Sequence, residues 1–323
     1  MESEQIKPKQ PLPWIEKHRP KTLDDVIDYT DKTATLKKMI KTGEFPNLLF
    51  YGPAGAGKTS TILACARELY GENYRSFCYE LNASDERGID TVRNTISNFA
   101  KKDIRGRFPF KLIILDEVDG VTEVAQEALR VVIESYPTTR FCLICNNVNK
   151  VHDGLQSRCV KIKFKKLPSE ISFNKIRNIA NTENVNIDDE TLRYLLNLDK
   201  DFRQIIGALQ SLSSIREDNL VTKKDINDIL GIPDEEDIDF FLNTVRTKSI
   251  KDAVAIVLNK HKDNEYNISE FLDALCKKVC KNINNYNEKQ LIKIFNKMSD
   301  VKFKVSEGYD CEVYLLALIT AFY

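Results

Sequence analysis

The first half of the chain alternates short apolar runs with segments that have the periodicity of amphipathic helices. Four apolar runs are long enough to form buried strands: NLLFYG (47–52), FCYELN (77–82), KLIILDE (111–117) and RFCLICN (140–146). The helical segments between them repeat apolar residues three and four apart, and Gly71 and Pro137 are placed to end two of them. Strands that alternate with helices are typical of a parallel sheet with helices on both faces. We therefore predict an α/β domain in this half.

The second half shows no strand pattern beyond Pro168. Short segments such as DDETLRYLLNL and longer ones such as NISEFLDALCKKVCKNI carry apolar stripes at helical spacing. Gly231, Ile232 and Pro233 precede the acidic run DEEDID, and this combination is typical of a linker. We therefore predict two helical regions that are separated near residue 232.

Composition and charge restrict the class of protein. The 323 residues include 42% hydrophobic and 30% charged residues, which suits a globular protein with a sizeable core. The 48 basic and 48 acidic residues cancel, so any surface for nucleic acid has to be a local patch. No stretch approaches 18 consecutive apolar residues, and the N-terminal segment MESEQIKPKQPLP lacks a hydrophobic signal core. We expect a location in the cytosol or nucleus and no membrane partner.

Two of the eight cysteines have the spacing of half a zinc site, Cys142-x-x-Cys145. They lie within the predicted strand RFCLICN, where residues three apart point to opposite faces of the sheet. The pattern therefore favours small buried side chains in a reducing compartment over metal ligands.

The segment GPAGAGKT fits the phosphate-binding pattern G-x-x-x-x-G-K-[ST], with a predicted strand before it and a helix after it. Glycines allow backbone N–H groups to curl around phosphates, and the N-terminus of a helix favours negative charge. Lys58 is expected to reach the β- and γ-phosphates, and the Thr59 hydroxyl to bind Mg²⁺.

The strand KLIILDE supplies the acidic partners of this loop. Asp116 at its end is placed to hold Mg²⁺, and Glu117 is placed to polarise an attacking water as a general base. The segment NKVHD almost provides a guanine-recognition N-K-x-D pattern, but His152 stands where the aspartate is required. The sequence therefore favours ATP over GTP.

Three further residues could act on the nucleotide. Asn146 ends the next predicted strand, where it is either a turn residue or a hydrogen-bonding partner of the γ-phosphate or the water. For Arg158 three interpretations stay open. It is a surface charge, a contact to this chain's own nucleotide, or a side chain that acts on a neighbouring molecule. Arg203 in DFRQIIGAL poses the same question from the second half, where a cation could report the γ-phosphate by domain closure.

A nucleic-acid surface is suggested by the segment ASDERGIDTVRNTI. It places Arg87 and Gly88 at a helix start and Arg93 on the first turns, which suits phosphate contacts. A basic run follows, made of Lys101, Lys102, Arg105, Arg107 and Lys111. Such runs are usually a solvated rim, so the run alone does not establish binding.

Taken in order, seven motifs resemble the small subunits of replication factor C, the eukaryotic sliding-clamp loader of the AAA+ class. The match is strong over about residues 12–215 and consists of LPWIEKHRPKTLDDVI, LLFYGPAGAGKTSTI, ELNASDERGID, FKLIILDEVD, AQEALR, RFCLICN and LQSRC with KIKF. The resemblance implies an AAA+ P-loop parallel sheet with helices on both faces, then a small helical lid and an all-α collar. The implied domains are 1–167 for nucleotide binding, 168–231 for the lid and 232–323 for the collar that holds subunits together.

The resemblance also implies residue roles. Asn146 is expected to be the first sensor, Arg203 the second, and Arg158 an arginine finger that reaches the ATP of the adjacent subunit. Arg87, Gly88 and their helix, with Arg93, are expected to follow template phosphates. The residues expected to surround the nucleotide are Ile15, Glu16, Lys17, His18 and Arg19 at the adenine, and Gly52, Pro53, Ala54, Gly55, Ala56, Gly57, Lys58, Thr59 and Ser60 at the phosphates.

The implied function is ATP-driven loading of a ring-shaped clamp onto primer–template DNA by a hetero-pentamer in the nucleus. Other DNA-remodelling AAA+ ATPases and a catalytically silent nucleotide-holding subunit stay as alternatives. Five positions depart from the family pattern, one of them Val118 in Asp-Glu-Val-Asp, where the family has Asp-Glu-Ala-Asp. His18 replaces a usual Tyr, Ala54 and Ala56 replace Pro and Thr, and Val131 follows Arg130 where relatives have a second Arg.

Overall fold

Five parallel strands form one sheet in the order β2-β3-β4-β1-β5. Their bounds are β1 Leu48–Tyr51, β2 Cys78–Asn82, β3 Lys111–Asp116, β4 Thr139–Cys145 and β5 Val160–Lys163. Because all five run in the same direction, their carboxyl ends meet at one edge, where ligands of open α/β sheets bind. The predicted P-loop parallel sheet is confirmed, and three strands that end in candidate site residues, β3, β4 and β1, are neighbours.

The computed structural model describes residues 12–28, 30–83, 89–101, 108–198, 200–215, 220–264, 266–308 and 312–323. The chain divides into two compact units. The first comprises Met1–Ile179 with Asp199–Gly207, and the second comprises Ala180–Leu198 with Ala208–Tyr323. The sheet and every candidate site residue that the structure describes lie in the first unit.

Helices occupy most of the remaining described chain. Their bounds up to β5 are α1 Trp14–Lys17, α2 Lys32–Thr42, α3 Lys58–Tyr70, α4 Tyr74–Phe77, α5 Ile89–Lys101, α6 Glu123–Ser135 and α7 Asp153–Gln156. After β5 they are α8 Ser169–Thr182, α9 Asp189–Asn197, α10 Phe202–Ile215, α11 Lys223–Leu230, α12 Glu235–Thr247, α13 Ile250–Asn264, α14 Ile268–Lys281, α15 Glu288–Ser306 and α16 Glu312–Ile319. Short 3₁₀ turns connect some of these elements, at Gly71–Asn73, Val118–Gly120, Val148–Lys150, Ile283–Asn285 and Thr320–Phe322.

Alternation along the strands separates two apolar cores, one on each face of the sheet. Phe50 and Ile114 point into a core with α2 and α3, whereas Leu49 and Ile113 point into a core with α5 and α6. Strands buried on both faces are continuous apolar runs in sequence, which is why β1, β3 and β4 could be predicted. β2 lies at one edge of the sheet and is partly exposed.

Lys111 begins β3 with its side chain turned inward. It is buried, and its ammonium group donates hydrogen bonds to the carbonyl oxygens of Phe99 (2.7 Å) and Ala100 (3.4 Å), in the last turn of α5. A cation at the C-terminus of a helix satisfies carbonyls that have no partner within the helix. Lys111 is therefore not part of an exposed basic rim, in contrast to the sequence interpretation.

The second unit is helical over its described residues, apart from an isolated bridge between Ile187 and Val221. The predicted linker DEEDID begins α12 instead. Three acidic residues lie in the first turn of this helix, where the helix dipole stabilises negative charge. Gly231, with a φ of 62°, ends α11, and its carbonyl accepts a hydrogen bond from the Asn267 amide at 3.0 Å. The acidic run is therefore a helix start rather than a flexible connection.

The helices after residue 232 share one apolar core. Its buried members lie between Ile238 and Ala321, and Phe271 and Leu275 are fully buried in it. In the described part of the chain, no helix combines the length and apolarity needed to cross a membrane. The division into three domains at residues 167 and 231 stays a prediction.

Cys142 and Cys145 are buried on opposite faces of the sheet, since they belong to the two different cores. Burial raises the pKa of Cys145 to about 12 and also raises the pKa of Cys78 to about 12. Cys280, by contrast, is exposed on α14.

This difference predicts a hierarchy of alkylation. A thiol with a pKa about three units above the usual range has about a thousandth of the thiolate at neutral pH. We expect iodoacetamide to modify Cys280 of the folded protein at least about 100-fold faster than Cys78 or Cys145. Peptide mass mapping over time measures the rates, and unfolding in guanidinium should make them similar. Comparable rates in the folded protein would contradict the burial of the two strand thiols.

Candidate functional site

The phosphate-binding loop joins β1 to α3 and depends on backbone conformations that favour glycine. Gly52, Gly55 and Gly57 have φ angles of 145°, 68° and 84°. A Cβ on Gly52 would lie 2.1 Å from the carbonyl oxygen of Phe164, because the chain leaving β5 passes directly beside it. The Phe164 amide also donates to the Tyr51 carbonyl at 2.7 Å. The first glycine of the loop is therefore required for close backbone packing as well as for its conformation.

Lys58 is the first residue of α3 and is only 7% exposed. Its ammonium group donates to the carbonyl oxygens of Gly52 (2.7 Å) and Pro53 (2.8 Å) and to the Asn146 side-chain oxygen (2.9 Å). Burial lowers the pKa of Lys58, and the nearby Asp116 carboxylate opposes this shift. An ammonium group with three N–H donors is thus held by three neutral oxygens at the mouth of the loop, a position in which phosphate oxygens can replace them.

Thr59 and Asp116 form the adjacent part of the site. The Thr59 hydroxyl donates to one Asp116 carboxylate oxygen at 2.6 Å, and the other oxygen accepts the Glu117 amide at 2.9 Å. A hydroxyl and a carboxylate side by side are the oxygen ligands that Mg²⁺ takes in nucleotide sites. The donor set fits this ion.

Glu117 follows β3 in a left-handed conformation, with φ 57° and ψ 38°. A non-glycine residue at positive φ is uncommon and is often found at functional sites. Asn82, which is the register partner of Asp116 on β2, donates from its amide to the Glu117 carboxylate at 3.2 Å. The unusual backbone therefore directs this carboxylate along the edge of the sheet, where β2 contributes a partner that the sequence interpretation did not include.

Asp119 fixes the end of β4. One of its carboxylate oxygens accepts the backbone amides of Asn146 (3.1 Å) and Asn147 (2.8 Å). Since Lys58 binds the Asn146 side chain, that residue is held from both its backbone and its amide oxygen. Asp119 is a site residue that was missed from the sequence, although it ends the motif Asp-Glu-Val-Asp.

A cavity of about 230 Å³ opens beside the loop within the first unit. Its polar end is formed by loop residues Ala54–Ser60 together with Asp116, Glu117, Asn146 and Arg203. Its apolar lining comes from other segments, namely Ile15, Val26, Ile27, Phe164, Leu167, Phe202 and Ile206. An apolar wall beside a phosphate-binding end suits a nucleotide, with the base against the aliphatic and aromatic side chains.

The predicted adenine segment contributes in part. Ile15, His18 and Arg19 line the cavity, whereas Glu16 and Lys17 are not among the lining residues. Glu16 instead forms an ion pair with Arg19. Gly52 and Pro53 also lie outside the lining, and their carbonyl groups bind Lys58 as described above.

The two candidate arginines have different positions. Arg203, in the first turn of α10, lines the cavity and adds to the positive field that lowers the pKa of Lys58. Arg158 follows α7 and is not among the lining residues. It forms an ion pair with Glu134 of α6 and donates to the Gly154 carbonyl at 2.7 Å. Arg158 is thus an exposed, paired cation away from this chain's own cavity, although no acidic partner was expected from the sequence.

The candidate DNA contacts lie largely outside the described residues. Arg87 and Gly88 fall in the undescribed segment 84–88, and Lys102, Arg105 and Arg107 fall in 102–107. Arg93 is part of α5, but its side chain is outside the described set. These residues therefore stay predictions from the sequence.

Two family models match the chain. Residues 48–167 match the ATPase family associated with various cellular activities (AAA), and residues 233–321 match the replication factor C C-terminal domain.

Curated relatives match almost the whole chain. Human replication factor C subunit 4 is 41% identical over 319 residues, covering 96% of this chain and 87% of the relative. A probable replication factor C subunit 5 of Dictyostelium discoideum is 40% identical over 316 residues, covering 96% and 90%. Replication factor C subunit 3 of Saccharomyces cerevisiae is 36% identical over 319 residues, covering 97% of this chain and 93% of the relative.

Among solved structures, the Thermotoga maritima RuvB Holliday junction branch migration motor is similar in fold. It has a TM-score of 0.52 at 17% identity and covers 74% of this chain and 85% of its own. A single-site variant of the same protein gives 0.54 at 18% identity, with 74% and 85% covered. At this identity the likeness concerns the fold alone.

The close approach at Gly52 predicts unequal effects of two alanine substitutions. Gly52→Ala adds a clash with Phe164 to the strain of a positive φ, so we expect a loss of about 3 kcal/mol or more in the free energy of unfolding. At Gly57 an added Cβ meets no described atom within 4 Å, so Gly57→Ala should cost only the strain, about 1–2 kcal/mol. Denaturant unfolding of both variants measures the difference. Equal losses would show that the Phe164 contact is not what requires glycine at position 52.

The role of Asp119 predicts a loss of turnover without a loss of binding. Without its carboxylate Asn146 loses its backbone anchor, and a misplaced polar group in an active site can cost roughly 10- to 100-fold in rate. We expect Asp119→Ala to lower kcat for ATP by this factor and to leave the nucleotide Kd little changed. Asp24→Ala, which removes an exposed partner of Lys37, is the matched control. A Kd that rises in parallel with the fall in kcat would argue against a role limited to Asn146.

Proposed function

The chain belongs to the replication factor C family of small subunits, and from this membership we propose that it is an ATP-binding and ATP-hydrolysing subunit of a clamp loader. In this proposal it assembles with other family members into a hetero-pentamer. The pentamer opens a ring-shaped sliding clamp and places it on primer–template DNA in the nucleus. The observation that supports the ATPase activity most strongly is the convergence of Lys58, Thr59, Asp116, Glu117 and Asn146 at the polar end of one cavity.

Each of these residues has a role that follows from its chemistry. Lys58 and the loop amides bind the phosphates, and the three oxygens that now bind Lys58 are released to solvent or to neighbouring donors. Thr59 and Asp116 hold Mg²⁺, which neutralises charge on the phosphates when bound. Glu117 accepts a proton from the attacking water, and Asn146 orients that water or the γ-phosphate. The pattern is one of positioning and electrostatic stabilisation.

The departures at the adenine and phosphates are compatible with nucleotide binding. Ala54 and Ala56 line the cavity and present mainly backbone there, and His18 lines it where relatives have Tyr. Glu16 and Lys17 lie outside the lining, and Glu16 forms an ion pair with Arg19. Adenine contacts are therefore proposed for Ile15, His18 and Arg19.

Arg158 is proposed to act on the ATP of an adjacent subunit. It lies outside this chain's own cavity and is partly exposed after a short helix, which suits a cation offered to a neighbour. Arg203 is proposed to respond to the chain's own γ-phosphate. The segment with Arg87, Gly88 and Arg93 is proposed to contact template phosphates, and the helices after residue 232 to hold the ring together.

Two substitutions, each tested in the assembled complex, distinguish the role of Lys58 from that of Arg158. Lys58→Ala should abolish ATP binding by this chain. Arg158→Ala should leave that binding intact and lower turnover at the adjacent site by about 1,000-fold, the usual contribution of an arginine finger. Nucleotide binding to the isolated chain and ATP turnover of the co-purified pentamer, with its mass determined, are the measurements.

The control is Arg75→Ala, which removes an exposed arginine of α4 that is not among the cavity-lining residues. Loss of this chain's ATP binding in Arg158→Ala would contradict the action in trans. A pentamer that binds ATP at this chain but shows the same turnover in wild type and Lys58→Ala would indicate a catalytically silent subunit.

A further inference from the structure

Arg158 belongs to a network of four charged side chains. Glu134, in the last turn of α6, accepts the Arg158 Nε–H at 2.6 Å and forms a second contact to its Nη2. The same Glu134 oxygen accepts Arg130 Nη1 at 3.0 Å, and Arg130 also donates from its Nε to Glu127 at 2.7 Å. The network therefore runs Glu127–Arg130–Glu134–Arg158, with two positive and two negative charges.

The Glu134 carboxylate occupies one edge of the Arg158 guanidinium group. A guanidinium has five N–H groups in a fixed plane. Glu134 takes those on the Nε–Nη2 edge, one from each nitrogen, and the Gly154 carbonyl takes one from Nη1 at 2.7 Å. Among the described residues, the second N–H of Nη2 is then left without an acceptor, and Nη1 also has the Ser157 hydroxyl at 3.4 Å. An N–H group that points away from Glu134 can donate a charge-assisted hydrogen bond to a phosphate oxygen.

Both sides of this contact are attached to the same apolar core. Leu129, Val132 and Ile133 of α6 are buried in it, and so is Leu155 of α7. The Arg158 amide donates to the Leu155 carbonyl at 3.1 Å. Because packed interiors have few voids and well-defined side-chain positions, the backbones that carry Glu134 and Arg158 keep a fixed separation.

The contribution of this contact is orientation rather than stability. Both side chains are about a third or more exposed, at 35% for Arg158 and 43% for Glu134. Exposed ion pairs contribute little to stability, so Glu134 cannot retain Arg158 against a triphosphate with several negative charges. One carboxylate oxygen that accepts from both Nε and Nη2 nevertheless restricts the rotamers of a long side chain. Placing a cation within a few tenths of an ångström matters greatly for transition-state charge.

We propose that Glu134 is a positioning residue for Arg158, which it directs towards the phosphates of the adjacent subunit's nucleotide. Arg130 holds Glu134 in place and, with Glu127, keeps the network neutral, so the incoming phosphates meet no excess of negative charge. This inference rests on the proposed action of Arg158 in trans. Glu134 itself does not contact the nucleotide, but it determines how well Arg158 is placed to contact it.

Orientation by Glu134 and simple attraction of phosphate by positive charge predict opposite effects on turnover when the Glu134 carboxylate is removed. Removing the Glu134 carboxylate raises the local net charge by one, and if attraction of phosphate were all that mattered, turnover would rise or KM would fall. If orientation matters, kcat falls while KM for ATP and this chain's own nucleotide binding are unchanged. Glu134→Gln keeps one acceptor oxygen and should lose less than Glu134→Ala.

The test uses the co-purified pentamer with Glu134→Ala, Glu134→Gln, Arg158→Ala and the double variant Glu134→Ala/Arg158→Ala. We expect Glu134→Ala to lower kcat at the adjacent site by about 10- to 100-fold, with a smaller loss for Glu134→Gln. In the Arg158→Ala background Glu134→Ala should cause no further loss, because it acts only through that arginine. Glu123→Gln, an exposed glutamate in the first turn of the same helix, is the control.

The outcomes separate this inference from the function on which it rests. If Arg158→Ala slows turnover but the Glu134 variants do not, or are faster, the positioning role is wrong and the action in trans stands. An equal loss from Glu134→Ala with and without Arg158 would reveal a general structural effect and would also overturn the positioning role. If Arg158→Ala itself leaves turnover unchanged, both proposals fail. Thermal unfolding and native mass confirm that each variant folds and assembles.

Discussion

The buried ammonium group of Lys58 is the interaction on which the site depends. Removing a charge from water is costly unless hydrogen bonds compensate for it, and here the carbonyls of Gly52 and Pro53 and the side chain of Asn146 provide them. These three oxygens belong to the start of the loop and to the end of β4. One buried charge therefore ties the loop to two strands that are neighbours in the sheet. The loop is held ready for phosphate, since the oxygens around Lys58 are neutral and a phosphate is a stronger acceptor.

The strand order explains how residues so distant in sequence meet. With β1 between β4 and β5, and β3 beside β4, the carboxyl ends of the sheet bring the loop after β1 close to Asp116 and Asn146. The chain leaving β5 closes the other side, where the Phe164 carbonyl lies against Gly52. A parallel sheet thus determines the site through topology, whereas the individual side chains determine only its chemistry.

The sequence predicted correctly those features that follow from a local pattern of residues. Continuous apolar runs predicted four strands, and the spacing of Gly52, Gly57 and Lys58 predicted the loop. It failed where a contact depends on tertiary packing. The carboxylate of Asp119 accepts amides 27 and 28 residues away, and Glu134 binds an arginine 24 residues away. Neither pair has a local pattern, because parallel strands and their crossover helices separate partners widely in sequence. The acidic run after Pro233 was misjudged for a related reason, since the same residues suit a linker and the first turn of a helix.

The separation of the two arginines clarifies why one chain is an incomplete enzyme in the proposed ring. Arg203 lines the cavity, so in the proposed ring its charge faces this chain's own nucleotide. Arg158 lies outside that cavity, so in the proposed ring it meets the charge that develops on a transferred phosphoryl group only when a neighbouring subunit is correctly placed. Only stabilisation that is stronger in the transition state than in the ground state accelerates the chemical step. An arginine supplied by another subunit, as proposed for Arg158, meets this condition only where the alignment of the two subunits places it against the charge of the transition state. In the proposed ring, the rate of hydrolysis then depends on how the subunits are aligned and not on the presence of ATP alone.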